Sequence, residues 1–223
     1  MKKVLFDFNG TLFFDSDINY IAWKETIREL AGDRINFDQI YPQYRSMRNE
    51  AFISAVFRSL DMPEDPEKIR YWAKRKETEY YQNYCRRNKR NKLASGAAEL
   101  LDLLKERDIL FNLCTASIKE NVDFYLSYLG LNRWFDIKKI AYDDGTFINK
   151  VEMYRSAAER IGADIQDCLV FEDSPKSIKE AIKAGCRNII AIKRKDTPDF
   201  KEIVQTIRDF TEFDRNLLED HNL

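Results

Sequence analysis

The sequence predicts an α/β fold: a doubly wound parallel sheet whose first strand is cut off from the others by an inserted block of helices. Three observations carry this. From Leu93 onward, short apolar runs alternate with amphipathic helical stretches, the pattern of a parallel sheet with right-handed crossovers. A lone apolar run at residues 4–6 precedes them. Between the two, residues 18 to about 90 read as polar helices with no strand alternation.

The elements follow in order. "VLFDFNGTLFF", residues 4 to 14, opens on a β-rich run that stops at Asp7 and turns at Gly10, a buried strand entering a loop. "INYIAWKETIRELAG" sets Ile18, Ala22, Ile27 and Leu30 near one helical stripe and ends at Gly32. "NEAFISAVFRSLDMP" repeats that pattern and stops before Pro63. The longer "DPEKIRYWAKRKETEYYQNYCRRNKRNK" places Pro66 where a first helical turn tolerates it. Then come the helix "SGAAELLDLLKERD", the strand "ILFNLC" ending before Thr115, and the helix "KENVDFYLSYLG" closed by Gly130. The strand "IKKIAY" precedes Asp143, and "VEMYRSAAERIG" is a helix closed by Gly162. "CLVF" runs into Glu172 and Asp173, "PKSIKEAIKAG" is a helix, and "NIIAI" is the last strand read. The tail after Phe210 carries no signal.

Parallel strands deliver their carboxyl ends to one edge, where ligands bind in such sheets. Asp7 and Asn9, Thr115 and Ser117, Lys150, and Glu172 with Asp173 all follow strands in this way. Singly, each has an ordinary reading: an Asp before a Gly turn, a helix cap, a surface lysine. Jointly they are complementary. Carboxylates suit a hard Mg²⁺ ion, a lysine and a hydroxyl can hold phosphoryl oxygens, and one carboxylate remains as a nucleophile.

These residues, in this order, resemble the haloacid dehalogenase (HAD) superfamily of phosphotransferases over nearly the whole chain. "DFNGT" stands for D-x-D-G-T, "LCTAS" for the strand-terminal Thr or Ser, "NK" for the downstream Lys, and "FEDSPKSIKEAIKAG" for the acidic pair with its following helix. The helical insert matches a cap. "AWK" at 22–24 and "AKRK" at 73–76 are similar to the beta-phosphoglucomutase and phosphatase branch. The resemblance implies a Rossmann-like core at 1–14 and 93–223 and a helical cap at 15–92. It implies Asp7 as nucleophile, and Mg²⁺ held by Asp7, the Asn9 carbonyl, Glu172 and Asp173. Thr115, Ala116, Ser117 and Lys150 would receive the phosphoryl group. Arg48 and Lys76 of the cap would hold the distal part of a phosphosugar, with cap closure excluding water.

The chain departs from the family pattern at Asn9, where the family has an aspartate that protonates the leaving oxygen and then activates water. An amide cannot exchange that proton, and general acid–base catalysis contributes about 10²–10⁴-fold. Three readings follow: a slow phosphatase or one whose leaving group needs no proton, such as an acyl phosphate; a binder of phosphorylated metabolites with little catalysis; or a variant of an ordinary enzyme. Phe13-Phe14-Asp15 carries one residue more than the pattern, "KVEMY" is two residues shorter, and Asn19 stands where the mutase has histidine. Two missing proton-handling groups place hydrolysis ahead of a beta-phosphoglucomutase-like isomerase.

The expected activity is thus Mg²⁺-dependent hydrolysis of a small phosphorylated metabolite. A net charge of −1 offers no general attraction to nucleic acid or an anionic membrane. Between Lys68 and Lys92 there are ten Lys/Arg against two acids, which reads either as a solvated face or as a basic lid for anionic substrates. The amino-terminal run is too short for a signal peptide, and no run reaches membrane-spanning length. Four cysteines without C-x-x-C spacing read as buried thiols in a reducing cytoplasm. The single histidine, His221, excludes a His-rich metal site. Nothing in the sequence sets an oligomeric state.

Overall fold

A computed structural model describes residues 2–45 and 47–219; His221 lies outside them. The chain divides into two units, Met1–Asp15 with Lys92–Leu223, and Ser16–Asn91.

The first unit is built on six parallel strands: β1 (Lys3–Phe6), β2 (Phe111–Ile118), β3 (Ala141–Asp143), β4 (Cys168–Glu172), β5 (Asn188–Ile192) and β6 (Ile203–Ile207). Their order is β3-β2-β1-β4-β5-β6. The chain therefore winds outward one way through β2 and β3 and the other way through β4 to β6. The direction switches between β1 and β4, the place off the strand ends where sheets of this kind bind ligands. Register aligns the two inner pairs closely, with Phe6 opposite Leu113 on one side and Phe171 on the other. Asp7 and Glu172 are thereby brought level, with Thr115 one residue further along β2.

β1 is buried throughout Val4–Phe6 because both faces of the sheet are covered. On one face, α8 (Lys150–Glu159) and α9 (Pro175–Ala184) pack Met153, Tyr154, Ala157, Ile178 and Ala181 against Leu5, Cys114, Val170 and Ile189. Elsewhere an aromatic cluster forms: Phe6 stacks on Phe171 at 4.9 Å, and Phe210 and Phe213 lie 5.2 and 5.0 Å from Phe171. The tail that was silent in the sequence thus contributes core, and Leu218 is also fully buried. α6 (Ala97–Glu106) and α7 (Lys119–Tyr128) complete the unit.

Two expectations change here. β2 does not end before Thr115 but continues to Ile118, so Thr115 and Ser117 are strand residues. The "IKKIAY" strand shortens to Ala141–Asp143, because residues 137–139 turn. β6 is an additional strand, paired with β5.

The second unit holds α1 (Ser16–Ala31), α2 (Phe37–Tyr44), α3 (Asn49–Ser59), α4 (Pro66–Arg75), a π-helical stretch at Lys76–Tyr81, and α5 (Gln82–Arg87). Asp65 caps α4, its Oδ1 accepting from the Glu67 and Lys68 amides, with Pro66 in the first turn. Trp23 and Ile27 of α1 meet Phe52, Val56 and Phe57 of α3 and Ile69 of α4 in this unit's own core. The basic stretch is partly neutralised by α1: Arg75 pairs with Glu29 at 2.8 Å and Arg90 with Asp17 at 2.6 Å. Cys85, Cys114, Cys168 and Cys186 are buried free thiols. Among the described residues, no helix is long and apolar enough to cross a membrane.

Candidate active site

Asp7 emerges from the centre of the sheet, its amide donating to Phe171 O at 3.0 Å across the β1–β4 pair. Glu172 ends β4 and is fully buried. Lys150 starts α8, where Asn149 caps the helix by accepting from the Glu152 amide. The lysine is buried too, and its Nζ donates to Asp7 Oδ1 at 2.6 Å and to Glu172 Oε2 at 2.7 Å. One ammonium therefore ties the two carboxylates.

Glu172 is held by four donors. Oε2 accepts from Lys150 and the Tyr154 hydroxyl, and Oε1 from the amides of Asp173 at 3.0 Å and Ser174 at 3.1 Å. A carboxylate has about four acceptor positions, so this one is saturated. Asp7 and Asp173 keep oxygens to offer. Ligand atoms of Asp7, Glu172 and Asp173 lie within 4.8 Å of one another.

Crowding leaves its mark on their acidity. Burial, then the charges of Glu172 and Asp173, hold Asp7 well above the usual carboxylate range despite Lys150. Burial and Glu172 push Asp173 up to about 7, with Arg194 and Lys150 opposing. Burial pulls the Lys150 ammonium down, but Asp7 and Glu172 beside it raise it overall. When all three carboxylates are ionised they outnumber the cations Lys150 and Arg194 by one, so deprotonation of the cluster is favoured by a bound cation. Hard oxygen donors with excess negative charge fit a divalent cation such as Mg²⁺.

The loop after β1 is a tight turn: Gly10 N donates to Phe13 O at 2.7 Å and Phe13 N to Phe8 O at 3.0 Å. Phe8 packs on Tyr125 of α7, with ring centres 4.0 Å apart. The Asn9 side chain is bonded at both ends. Its Nδ2 donates to Asp15 Oδ2 at 2.6 Å and to Tyr125 Oη at 3.1 Å, while Oδ1 accepts from Ser117 Oγ at 2.7 Å. Thr115 is buried, and its Oγ1 accepts from the Ser117 amide at 3.2 Å, whereas Ala116 is exposed.

Asp7, Asn9, Thr115, Ser117, Lys150, Glu172 and Asp173 all belong to the sheet-bearing unit. Arg48 and Lys76 belong to the helical unit. Arg48 is exposed before α3. Lys76 is only 2% exposed, far from the solvated or lid-like surface lysine the charge run suggested. Its Nζ donates to Asn19 Oδ1 at 2.7 Å and Glu77 Oε1 at 2.8 Å, 5.3 Å from the Trp23 and Tyr81 rings.

Sequence reasoning missed Asp15, Tyr125, Tyr154 and Arg194 as site neighbours. Tyr154 was findable, standing four residues after Lys150 on the same helical face. Arg194 follows β5 by two residues, so the strand-end rule applied to the fifth strand leads to it. Tyr125 left no local signal.

Comparison with known proteins places this geometry in context. Residues 1–185 match the family model described as haloacid dehalogenase-like hydrolase. YhcW of Bacillus subtilis (strain 168), named as a phosphatase, is 26% identical over 141 residues, covering 63% of this chain and 64% of that protein. A Drosophila melanogaster protein named as a pseudouridine-5'-phosphatase is 25% identical over 231 residues, covering 94% of this chain and 93% of its own. A crystal structure of a HAD hydrolase, family IA, variant 3, from Entamoeba histolytica HM-1:IMSS superposes with a TM-score of 0.84 at 31% identity, covering 97% of this chain and 96% of that one. Beta-phosphoglucomutase from Clostridium difficile shares the fold, with a TM-score of 0.77 at 18% identity over 98% and 95% of the two chains.

Proposed function

Since the chain belongs to the haloacid dehalogenase-like hydrolases, we propose that it hydrolyses phosphoric monoesters of a small metabolite with Mg²⁺, through a phosphoenzyme on Asp7. The observation that carries this reading is the buried Asp7–Lys150–Glu172 bridge beside Asp173 at the sheet's switch point. The ion would be held by Asp7, Asp173 and the Asn9 main-chain carbonyl. Glu172, its acceptor positions filled, would be the fixed corner supplying charge. When bound, Mg²⁺ supplies charge neutralisation for the phosphoryl oxygens.

The chain's own groups account for the rest. An Asp7 carboxylate oxygen attacks phosphorus, a new O–P bond forms, and the bond to the leaving oxygen breaks. Lys150 holds the attacking carboxylate in place and limits repulsion between it and the incoming dianion. Thr115 and Ser117, at the end of β2, are the hydroxyls for the transferred group's oxygens, with exposed Ala116 between them. Water then attacks the phosphorus of the phosphoaspartate, and the P–O bond to Asp7 breaks. With no carboxylate at position 9 to take it, the water's proton leaves on the released phosphate, restoring the Asp7 carboxylate. The leaving alkoxide needs a proton that the Asn9 amide cannot give, so turnover of esters is slow. An acyl phosphate, whose carboxylate leaves without a proton, escapes that penalty.

The relatives' names point to phosphorylated sugars and nucleosides, the class we assign to the substrate. Asn9 favours a second reading, a phosphometabolite-binding protein with little catalysis. Phosphate release with Mg²⁺ from a panel of phosphosugars, nucleotides and acetyl phosphate decides between them. Turnover that is abolished by Asp7→Asn supports the hydrolase. Metal-dependent binding with no turnover on any substrate supports the binder.

A further inference from the structure

Arg194 lies two residues beyond the end of β5, the strand that pairs with β4, and takes no part in the chemistry described above. Its side chain nevertheless joins the two loops that make the acidic cluster. Nη2 donates to the Gly10 carbonyl at 2.8 Å, and Nε donates to Asp173 Oδ2 at 3.1 Å. Nη2 also lies 3.0 Å from that same oxygen. The loop after β1 and the loop after β4 are thus fastened through one guanidinium.

The surroundings are shaped to admit it. Gly10 has φ +82°, and a Cβ there would run into Asp173 Oδ2 and stand 2.7 Å from Arg194 Nη2. Glycine is required both for the backbone conformation and for this approach. The Arg194 backbone is fixed in turn by Thr197, whose Oγ1 accepts from the Arg194 amide at 2.7 Å and donates to its carbonyl at 3.0 Å. The ring of Phe14 faces the guanidinium at 5.9 Å, a cation–π contact. Phe14 lies in the segment that is one residue longer than the family pattern, so the departure gains a physical role.

We propose that Arg194 is a positioning residue for the cation site: it bridges the Gly10 carbonyl and Asp173, and so holds the Asp173 carboxylate ready to coordinate. It acts through the planar fork that spaces Nε and Nη2, rather than through its charge alone. The inference rests on the Mg²⁺ reading above. The two explanations of Arg194 pull in opposite directions. As a mere counter-charge it competes with Mg²⁺ for Asp173, so its removal would tighten metal binding and a lysine would replace it. As a positioning residue its removal loosens Asp173, and an ammonium without the fork is a poor substitute.

The test is Mg²⁺ binding measured by isothermal titration calorimetry on native protein, Arg194→Met and Arg194→Lys, with circular dichroism melting to verify folding. Where phosphate release is measurable, the Mg²⁺ activation constant is compared with kcat. Both variants are expected to weaken Mg²⁺ binding about 10-fold or more, as loss of outer-shell partners does, and to raise the activation constant. Lysine at native affinity, or methionine binding as tightly as native or tighter, overturns the proposal. Thr197→Val, which keeps the arginine but frees its backbone, carries the test if Arg194→Met does not fold; unchanged Mg²⁺ affinity there overturns it. Native protein that binds no Mg²⁺ overturns the metal reading and this one together, whereas native binding with unaltered variants overturns this one alone.

Discussion

Replacing Asn9 by aspartate does more than supply the proton carrier that the family pattern has at this position. The Asn9 amide donates to Asp15 Oδ2 at 2.6 Å, and Asp15 is almost fully buried. The variant therefore sets a carboxylate against a carboxylate. With an effective dielectric constant of about 20, two unit charges at that distance repel by roughly 6 kcal/mol. Keeping one of them protonated at pH 7 costs about 4 kcal/mol, for an ordinary pKa near 3.9 and about 1.4 kcal/mol per pH unit. Protonation is the cheaper route, so the pair shares one proton, and its O–H···O bond offsets the lost amide bond. The raised acid binds its proton in the folded state only, so the cost grows as pH rises. Asn9→Asp is expected to destabilise the metal-free protein by about 4 kcal/mol at pH 7 but only about 1.5 kcal/mol at pH 5. Urea unfolding of native and variant protein at both pH values measures this. With Mg²⁺, the same variant is expected to release phosphate from esters about 10²–10⁴-fold faster than native protein. A stability difference that does not change between pH 5 and pH 7 refutes the shared-proton argument, and an ester rate no higher than native refutes the claim that proton transfer is what the site lacks.

Two further outcomes follow from the same geometry. Lys150→Met removes the only cation that touches both Asp7 and Glu172 among the described residues; unfolding is expected to show a loss of about 3–5 kcal/mol, as breaking a buried pair does, and phosphate release should fall with it. Asp173 sits at about 7, above its ordinary value, so its contribution to stability is full below about pH 4 and fades as pH rises through about 7. The metal-free melting temperature should therefore drop from pH 5 to pH 8, and Mg²⁺ should restore more of it at pH 8, as calorimetry or dye-based melting will show.

Much of the site was legible because parallel topology converts a one-dimensional pattern into position. Asp7, Thr115, Glu172 and Asp173 stand at the ends of apolar runs, and parallel strands place such ends on one edge whatever the loops do. Lys150 was legible through its spacing after the third strand. β6 was not: "IVQTI" is a short edge strand among charged residues, and its signal comes from pairing with β5. α2 was hidden by Pro42 within it. Lys76 read as part of a basic run and, by resemblance, as a substrate-binding residue; the fold buries it against Glu77, Asn19 and two aromatic rings, contacts that no local pattern signals.

The sequence by itself determined the α/β class, the helical insert and the family, because strand and helix periods and the strand-end motifs are local properties of the chain. It also determined that Asn9 stands where a proton carrier is expected. Only the tertiary structure decided what surrounds that amide, and that Arg194 joins Gly10 to Asp173. Those contacts link residues as far apart as 116 and 184 positions, and no local pattern encodes a hydrogen bond across such a separation. They exist because the switch in strand order brings distant loops to one edge of the sheet, where an unpaired buried polar group would carry its full desolvation cost.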